Sequence, residues 1–153
     1  MQNNMHNIFS ENIPWALGIV VVLFGIVAAH RLFLYRQKKN KMVKASEKFR
    51  NEILTELEGL YPTTHYWDKN VYPRLAQSIT KIESAAIKFR PYAVRKSDFD
   101  SAIKKYCEYC KSLTWEKVTG WDMYPSMRTP GEIGPKEKFK QIVEIILSFT
   151  KDQ

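Results

Sequence analysis

The sequence predicts an all-α protein in which a single N-terminal transmembrane helix precedes a small, bundle-like soluble domain of about four helices. Three observations lead to this fold class. Residues 13–35 form one apolar run, four later segments carry apolar residues at helical spacing, and no segment shows the alternating pattern of a strand. The chain has 153 residues, so about 105 remain for one compact domain once the span and the basic segment behind it are set aside.

The apolar run IPWALGIVVVLFGIVAAHRLFLY, residues 13–35, has no charged residue before Arg31. As a helix it reaches roughly 35 Å, and the hydrocarbon core of a bilayer is about 30 Å thick. Trp15 and Tyr35 stand at its two ends, where interfacial aromatic residues are favoured, and Arg31 can extend its guanidinium to the nearer interface. We therefore expect this run to cross a membrane.

Positive charge is concentrated directly behind the run. The net charge is +8, and the eight Lys and Arg residues of segment 31–50 are opposed only by Glu47, whereas residues 1–12 contain no Lys or Arg. Positively charged flanks stay in the cytoplasm, so we expect the N-terminus outside and the domain inside. The alternative, a cleaved signal peptide, lacks a basic n-region here. The residues that we assign to the membrane interface are Trp15, Arg31, Tyr35, Arg36, Lys38, Lys39 and Lys41.

These features divide the chain into four parts. Residues 1–12 are a short disordered outer tail, 13–35 the transmembrane helix, 36–48 a basic juxtamembrane helix that we call the collar, and 49–153 the helical domain. The collar residues are good helix formers. Its charge either binds anionic headgroups or only fixes the orientation, and both interpretations stay open.

Four amphipathic stripes predict the helices of the domain. The first ends near Gly59 and Tyr61-Pro62, the second has Pro73 in its first turn and ends at Arg90-Pro91, the third has Ser97 as its N-cap, and the fourth starts at Pro135. Their apolar positions are Phe49, Ile53, Leu57 and Leu60; Trp67, Val71, Leu75, Ile79, Ile82, Ala86 and Phe89; Phe99, Ala102, Ile103, Tyr106, Cys110 and Leu113; and Phe139, Ile142, Val143, Ile146 and Leu147.

Segment 114–135 breaks this periodicity and contains three Gly and three Pro residues. We expect an irregular aromatic loop, which is longer than a helical bundle needs. Because Trp, Tyr and Met are enriched in protein interfaces, the loop either contacts a partner or caps one end of the core. A smaller aromatic cluster, residues 61–72, would adjoin it if both lie at the same end of the bundle. The partner-binding candidates are Trp115, Trp121, Met123 and Tyr124, with Met127 beside them.

The sequence offers little catalytic chemistry. Cys107 and Cys110 form a C-x-x-C pair in the second half of a predicted helix, whereas a thioredoxin-like pair lies at a helix N-terminus and a structural zinc site needs four ligands. We expect both thiols to pack in the core and keep them as weak redox or metal candidates. His65 has no recognisable catalytic partner, and no Gly-rich phosphate loop occurs. We therefore expect no enzyme activity, no catalytic residue and no cofactor.

The high pI of about 9.5 does not indicate nucleic-acid binding. Residues 51–153 carry 16 Lys and Arg against 14 Asp and Glu, so the domain is close to neutral. A nucleic-acid-binding domain would concentrate basic residues on its own surface.

Three parts of the chain together resemble a diffuse group of bacterial helical proteins: residues 49–60, 82–110 and 139–151. The two motifs that they share with the group are E-x-A-x-x-x-F-R-P, residues 83–91, and F-D-x-A-x-x-x-Y, residues 99–106. The resemblance implies an all-α fold and a bacterial source, and no activity is known for the group. Arg90 and Asp100, which both lie in these motifs, are placed to pair across the second interhelical turn.

Together these observations predict a single-pass protein of the bacterial inner membrane with a cytoplasmic domain. Its expected partners are the lipid bilayer and a protein, either another protein or a second copy. The function we expect is non-catalytic docking, scaffolding or regulation; a lipid-surface or self-assembling module is the alternative.

Overall fold

The structure, a computed structural model, describes residues 3–62, 67–124 and 131–151, with side chains at Trp15 and from Leu17 onward. These residues form five α-helices and one 3-10 turn, and none of them lies in a strand. The helices are α1 (Asn3–Glu56), α2 (Val71–Phe89), α3 (Lys96–Ser112), α4 (Trp115–Met123) and α5 (Pro135–Ser148), and the 3-10 turn is Arg90–Tyr92. The all-α prediction is confirmed. The chain divides into two compact units, Met1–Lys41 and Met42–Gln153.

The first unit is the N-terminal part of α1. The helix begins at Asn3, so residues 3–12 are helical and the expectation of a disordered tail is wrong for them. The apolar side chains from Leu17 to Tyr35 are exposed, Phe24 to 76%. Within the described residues this is the one helix long and apolar enough to cross a membrane, with a mean hydropathy of 2.3 over its most apolar window, none of which is buried. A core helix of a soluble protein would bury such a window.

The second unit contains the rest of α1, from Met42, together with α2 to α5. Gly59, three residues beyond the end of α1, adopts a φ of +77°, and such a left-handed residue commonly follows the end of a helix. α2 ends before Arg90-Pro91, as predicted. The N-cap of α3 is Arg95 rather than Ser97, because the helix already begins at Lys96.

The core of the second unit is built from the predicted stripes. All their residues are buried except Ile103 and Ile142, which are partly buried against the core. Phe49 of α1 stacks on Phe89 of α2 with ring centroids 4.6 Å apart, and Phe99 of α3 meets both rings edge-on at 5.6 and 5.4 Å. Phe149, just after α5, packs edge-on against Phe99 at 5.5 Å. Because each ring comes from a different helix or its end, these contacts fix four helices to one another.

Polar contacts between α2 and α3 support this packing. Arg90 Nε and Nη2 donate to the Asp100 carboxylate at 2.9–3.0 Å, which confirms the predicted pair. These hydrogen bonds from Arg90 lower the pKa of Asp100. In the core, Ser78 Oγ donates to the Leu75 carbonyl at 2.8 Å and lies 2.8 Å from the Tyr106 hydroxyl. Since a serine hydroxyl has one proton, Tyr106 is the donor to Ser78.

Candidate partner-binding surface

The segment 114–124 is a helix and not the irregular loop expected from its sequence. α4 begins after Thr114, whose hydroxyl accepts from the Lys117 amide at 3.4 Å, and Glu116 lies in the first turn. Hydrogen bonds from its own backbone amide and from Thr114 lower the pKa of Glu116. Only Val118 of α4 is buried, so no apolar stripe revealed this helix; the Thr cap followed by an acidic first turn was the signal available.

The two tryptophans of α4 hold it against the rest of the second unit. Both are half-buried. Trp115 packs edge-on against Tyr72 of α2 with centroids 6.0 Å apart. Trp121 lies on Gly134, where an added Cβ would stand 2.6 Å from the indole Nε1. These two candidates therefore contribute to packing within the domain.

The start of α5 is fastened to the same region. Lys136 Nζ lies 2.6 Å from the Asp122 carboxylate of α4, and the Tyr109 hydroxyl donates to the Pro135 carbonyl at 2.7 Å. The Lys138 ammonium lies 5.5 Å from the centre of the Tyr109 ring. The start of α5 thus contacts the end of α4 through Lys136 and contacts α3 through Tyr109.

Met123 and Tyr124, the remaining partner-binding candidates, lie at the end of α4 and are exposed. Their exposed fractions are 66% and 54%, and Ile133, next to Gly134, is 49% exposed. We call these three residues the apolar patch; Trp121 on Gly134 brings their two chain segments together. Met127 lies outside the described residues.

The smaller aromatic cluster has a structural role where it is described. Trp67 is 1% exposed and packs edge-on against Phe139 at 5.3 Å, and Tyr61 is partly buried against the core. The contact between Tyr72 and Trp115 places this cluster beside α4, as expected if both lie at one end. Tyr66 and His65 lie outside the described residues.

Cys107 and Cys110 are free, buried thiols, which confirms the prediction that they pack in the core. Burial raises the pKa of each thiol to about 12. A redox or metal-binding cysteine needs a thiolate, so this environment disfavours both roles. Within residues 3–62, 67–124 and 131–151, no group of three or more His, Cys, Asp or Glu side chains is placed to hold a metal ion.

The residues assigned to the membrane interface all belong to the first unit and are exposed. Trp15 is 59% and Tyr35 66% exposed. The five basic residues, Arg31, Arg36, Lys38, Lys39 and Lys41, are exposed on the same helix.

Comparison with protein-family models, with curated proteins and with solved structures finds no match to this chain.

Proposed function

We propose that this protein is a single-pass protein of the bacterial inner membrane whose cytoplasmic domain docks a partner protein and has no catalytic activity. The exposed apolar helix and the basic collar support the anchor and its orientation, with the N-terminus outside. The domain is built on a phenylalanine-rich helical core and is close to neutral, which suits protein recognition better than nucleic-acid binding.

The observation that best supports the docking function is that the apolar patch is exposed while α4 is packed against α5. Met123 and Tyr124 are exposed close to the half-buried Trp121, and the ion pair of Lys136 with Asp122 links the end of α4 to the start of α5. Tyr side chains lose little conformational entropy when a partner covers them, and both Tyr and Met are enriched in the cores of protein interfaces. The occupant we propose is an apolar surface of a different protein, because Asp122, the charged residue next to Met123, is already paired with Lys136.

The test compares two Asp substitutions at exposed, non-helical positions. Tyr124→Asp replaces the aromatic residue of the patch by a charge, whereas Val94→Asp places the same charge at a residue that is 66% exposed and lies in the bend before α3. Affinity-tagged full-length proteins are purified from membranes after in-cell cross-linking, and the captured proteins are identified by mass spectrometry. Loss of an interface hot spot costs about 2 kcal/mol, or roughly thirtyfold in affinity. A partner captured by the wild type and by Val94→Asp should therefore be lost from Tyr124→Asp.

Equal recovery of the same partners by all three proteins would contradict this role for the patch. Far-UV circular dichroism of each purified protein separates loss of binding from loss of folding. Unfolding of Tyr124→Asp would itself oppose the proposal, because it would make Tyr124 a residue of the core.

The second candidate function is a lipid-surface or self-assembling module, and the exposed collar favours it. Basic residues near an anionic bilayer contribute about 1 kcal/mol each to binding. Replacing Lys38, Lys39 and Lys41 by Gln should then weaken the binding of a fragment without the apolar run to anionic lipid vesicles, although the patch is intact. Under the docking proposal, the same variant keeps its partner.

A further inference from the structure

A small pocket of the second unit lies between α1 and the turn that follows α5. Its volume is about 220 Å³. Four of its lining residues follow one face of α1 at helical spacing, and two come from the turn after α5. The lining residues are Val43, Ser46, Glu47, Arg50, Thr150 and Lys151.

Ser46 is the first sign that this pocket receives a ligand. Its side chain is 4% exposed, and its Oγ has no hydrogen-bond partner among the described residues. Buried polar groups are nearly always hydrogen-bonded, so such a hydroxyl requires an explanation. A ligand oxygen in the pocket would provide one.

The charges of the pocket indicate the chemistry of that ligand. Arg50 is half-buried, and neither it nor Lys151 forms an ion pair with any residue that the structure describes. Elsewhere in the second unit, Arg90 is paired with Asp100. Glu47 also lines the pocket, which leaves one net positive charge. The guanidinium supplies several donors in a planar fork, the ammonium a point charge, and the serine hydroxyl a single donor.

These donors match a small oxyanion. The pocket is smaller than the roughly 300–1,000 Å³ of sites for drug-sized ligands, and it offers one carboxylate rather than a set of metal ligands. The backbone amides of Phe149, Thr150 and Lys151 already donate to the carbonyls of residues 146–148, and the Thr150 hydroxyl donates to the Leu147 carbonyl at 2.7 Å. The donors of the pocket that remain for a ligand are therefore the side chains of Ser46, Arg50 and Lys151.

We propose that this pocket binds a phosphate group through Arg50, Lys151 and the Ser46 hydroxyl. The phosphate belongs either to an anionic lipid headgroup or to a soluble phosphate, and both present the same acceptor oxygens to these donors. The site is separate from the apolar patch, and its function does not depend on partner docking.

The experiment uses the full-length chain in dodecyl maltoside micelles, which contain no phosphate. Thermal unfolding is followed by tryptophan fluorescence in two arms, one with increasing inorganic phosphate against chloride at equal ionic strength, the other with phosphatidylglycerol added to the micelles. Ser46→Ala removes the unpartnered hydroxyl and Arg50→Gln the guanidinium. Lys48→Gln is the matched control, since Lys48 lies on α1 between them, does not line the pocket and has a side chain that is 73% exposed.

The wild type and Lys48→Gln should show a saturable rise in unfolding temperature, because a ligand that binds only the folded state stabilises it. Ser46→Ala and Arg50→Gln should each weaken the apparent affinity at least about tenfold. A response to phosphate alone identifies a soluble ligand, and a response to phosphatidylglycerol alone identifies a lipid headgroup.

Two results would overturn the proposal: no rise in either arm, or equal responses from all four proteins. Ser46→Ala decides the outcome if Arg50→Gln fails to fold. It removes a hydroxyl that has no partner in the described structure, so we expect it to fold as well as the wild type without ligand.

Discussion

The packing of α4 on α5 makes a quantitative prediction at Gly134. This residue is the N-cap of α5, with φ −61° and ψ 154°, a backbone conformation that any residue adopts. An alanine there would strain no backbone angle, but its Cβ would lie 2.6 Å from Nε1 and 2.9 Å from Cε2 of Trp121. Such contacts are shorter than van der Waals distance, so the rigid indole must move away from α5.

The expected cost has two parts. Overpacking a well-packed site costs about 1–3 kcal/mol, and the half-buried position of Trp121 favours the lower end of that range. Alanine is also a poorer N-cap than glycine, which adds a few tenths of a kcal/mol. We therefore expect Gly134→Ala to lower the free energy of unfolding by about 1.5–2 kcal/mol.

Gly120→Ala is the matched control for this substitution. Gly120 lies inside α4, and no atom outside its own helix lies within 4 Å of an added Cβ. Replacing a helical glycine by alanine there should raise stability by about 0.5–1 kcal/mol. The two Gly→Ala changes are thus expected to have opposite signs.

Urea unfolding of the full-length proteins in micelles, followed by tryptophan fluorescence and circular dichroism, measures both changes. A Gly134→Ala protein as stable as the wild type would refute the packing of Trp121 on α5. The support proposed beneath the apolar patch would then be wrong as well.

Two further predictions concern the core between α2 and α3. Tyr106→Phe removes the donor to Ser78 but leaves the Ser78 hydrogen bond to the Leu75 carbonyl intact. Urea unfolding should show that the free energy of unfolding falls by about 1 kcal/mol. An unchanged free energy of unfolding would contradict this hydrogen-bond network. Cys107 and Cys110, with pKa values of about 12, should react with iodoacetamide at neutral pH roughly a thousandfold more slowly than unfolded cysteines. Their alkylation, followed by mass spectrometry, should accelerate as pH rises, and fast labelling of the folded protein at pH 7 would show that the thiols are not buried.

The sequence was sufficient for the elements whose burial follows a regular period. Stripes such as that of Phe49, Ile53 and Leu57 fix both the helix and the face that packs, because apolar residues three and four apart can be buried together only on a helix. The Arg90–Asp100 pair was also predictable, since both residues flank one short turn. Helix starts were less certain: α3 begins at Lys96, one residue before Ser97, and its N-cap Arg95 forms no side-chain capping hydrogen bond.

The parts that the sequence left open depend on tertiary contacts. α4 is short, contains Gly120 and buries only Val118, so its formation depends on Thr114 and on the packing of its tryptophans. Whether an aromatic residue of this segment packs against the domain or faces water depends on the residue opposite it in the fold. Trp121 packs because Gly134, which has no side chain, leaves room for the indole. The pocket at Ser46 is lined by residues of α1 and of the turn after α5. These residues are about 100 positions apart in the sequence, so no local sequence pattern predicts that they meet.

The most direct test of the central claim is the side of the membrane on which each end of the chain lies. Single-cysteine reporters are placed at Asn3 and at Gln153 in the full-length protein, and cells are treated with a membrane-impermeant maleimide before and after permeabilisation. The two native cysteines are buried and give little background. We expect the reporter at Asn3 to be labelled in intact cells and that at Gln153 only after permeabilisation. Labelling of the Gln153 reporter in intact cells would contradict the cytoplasmic domain, and fractionation of the uncleaved protein with soluble proteins would contradict the membrane anchor.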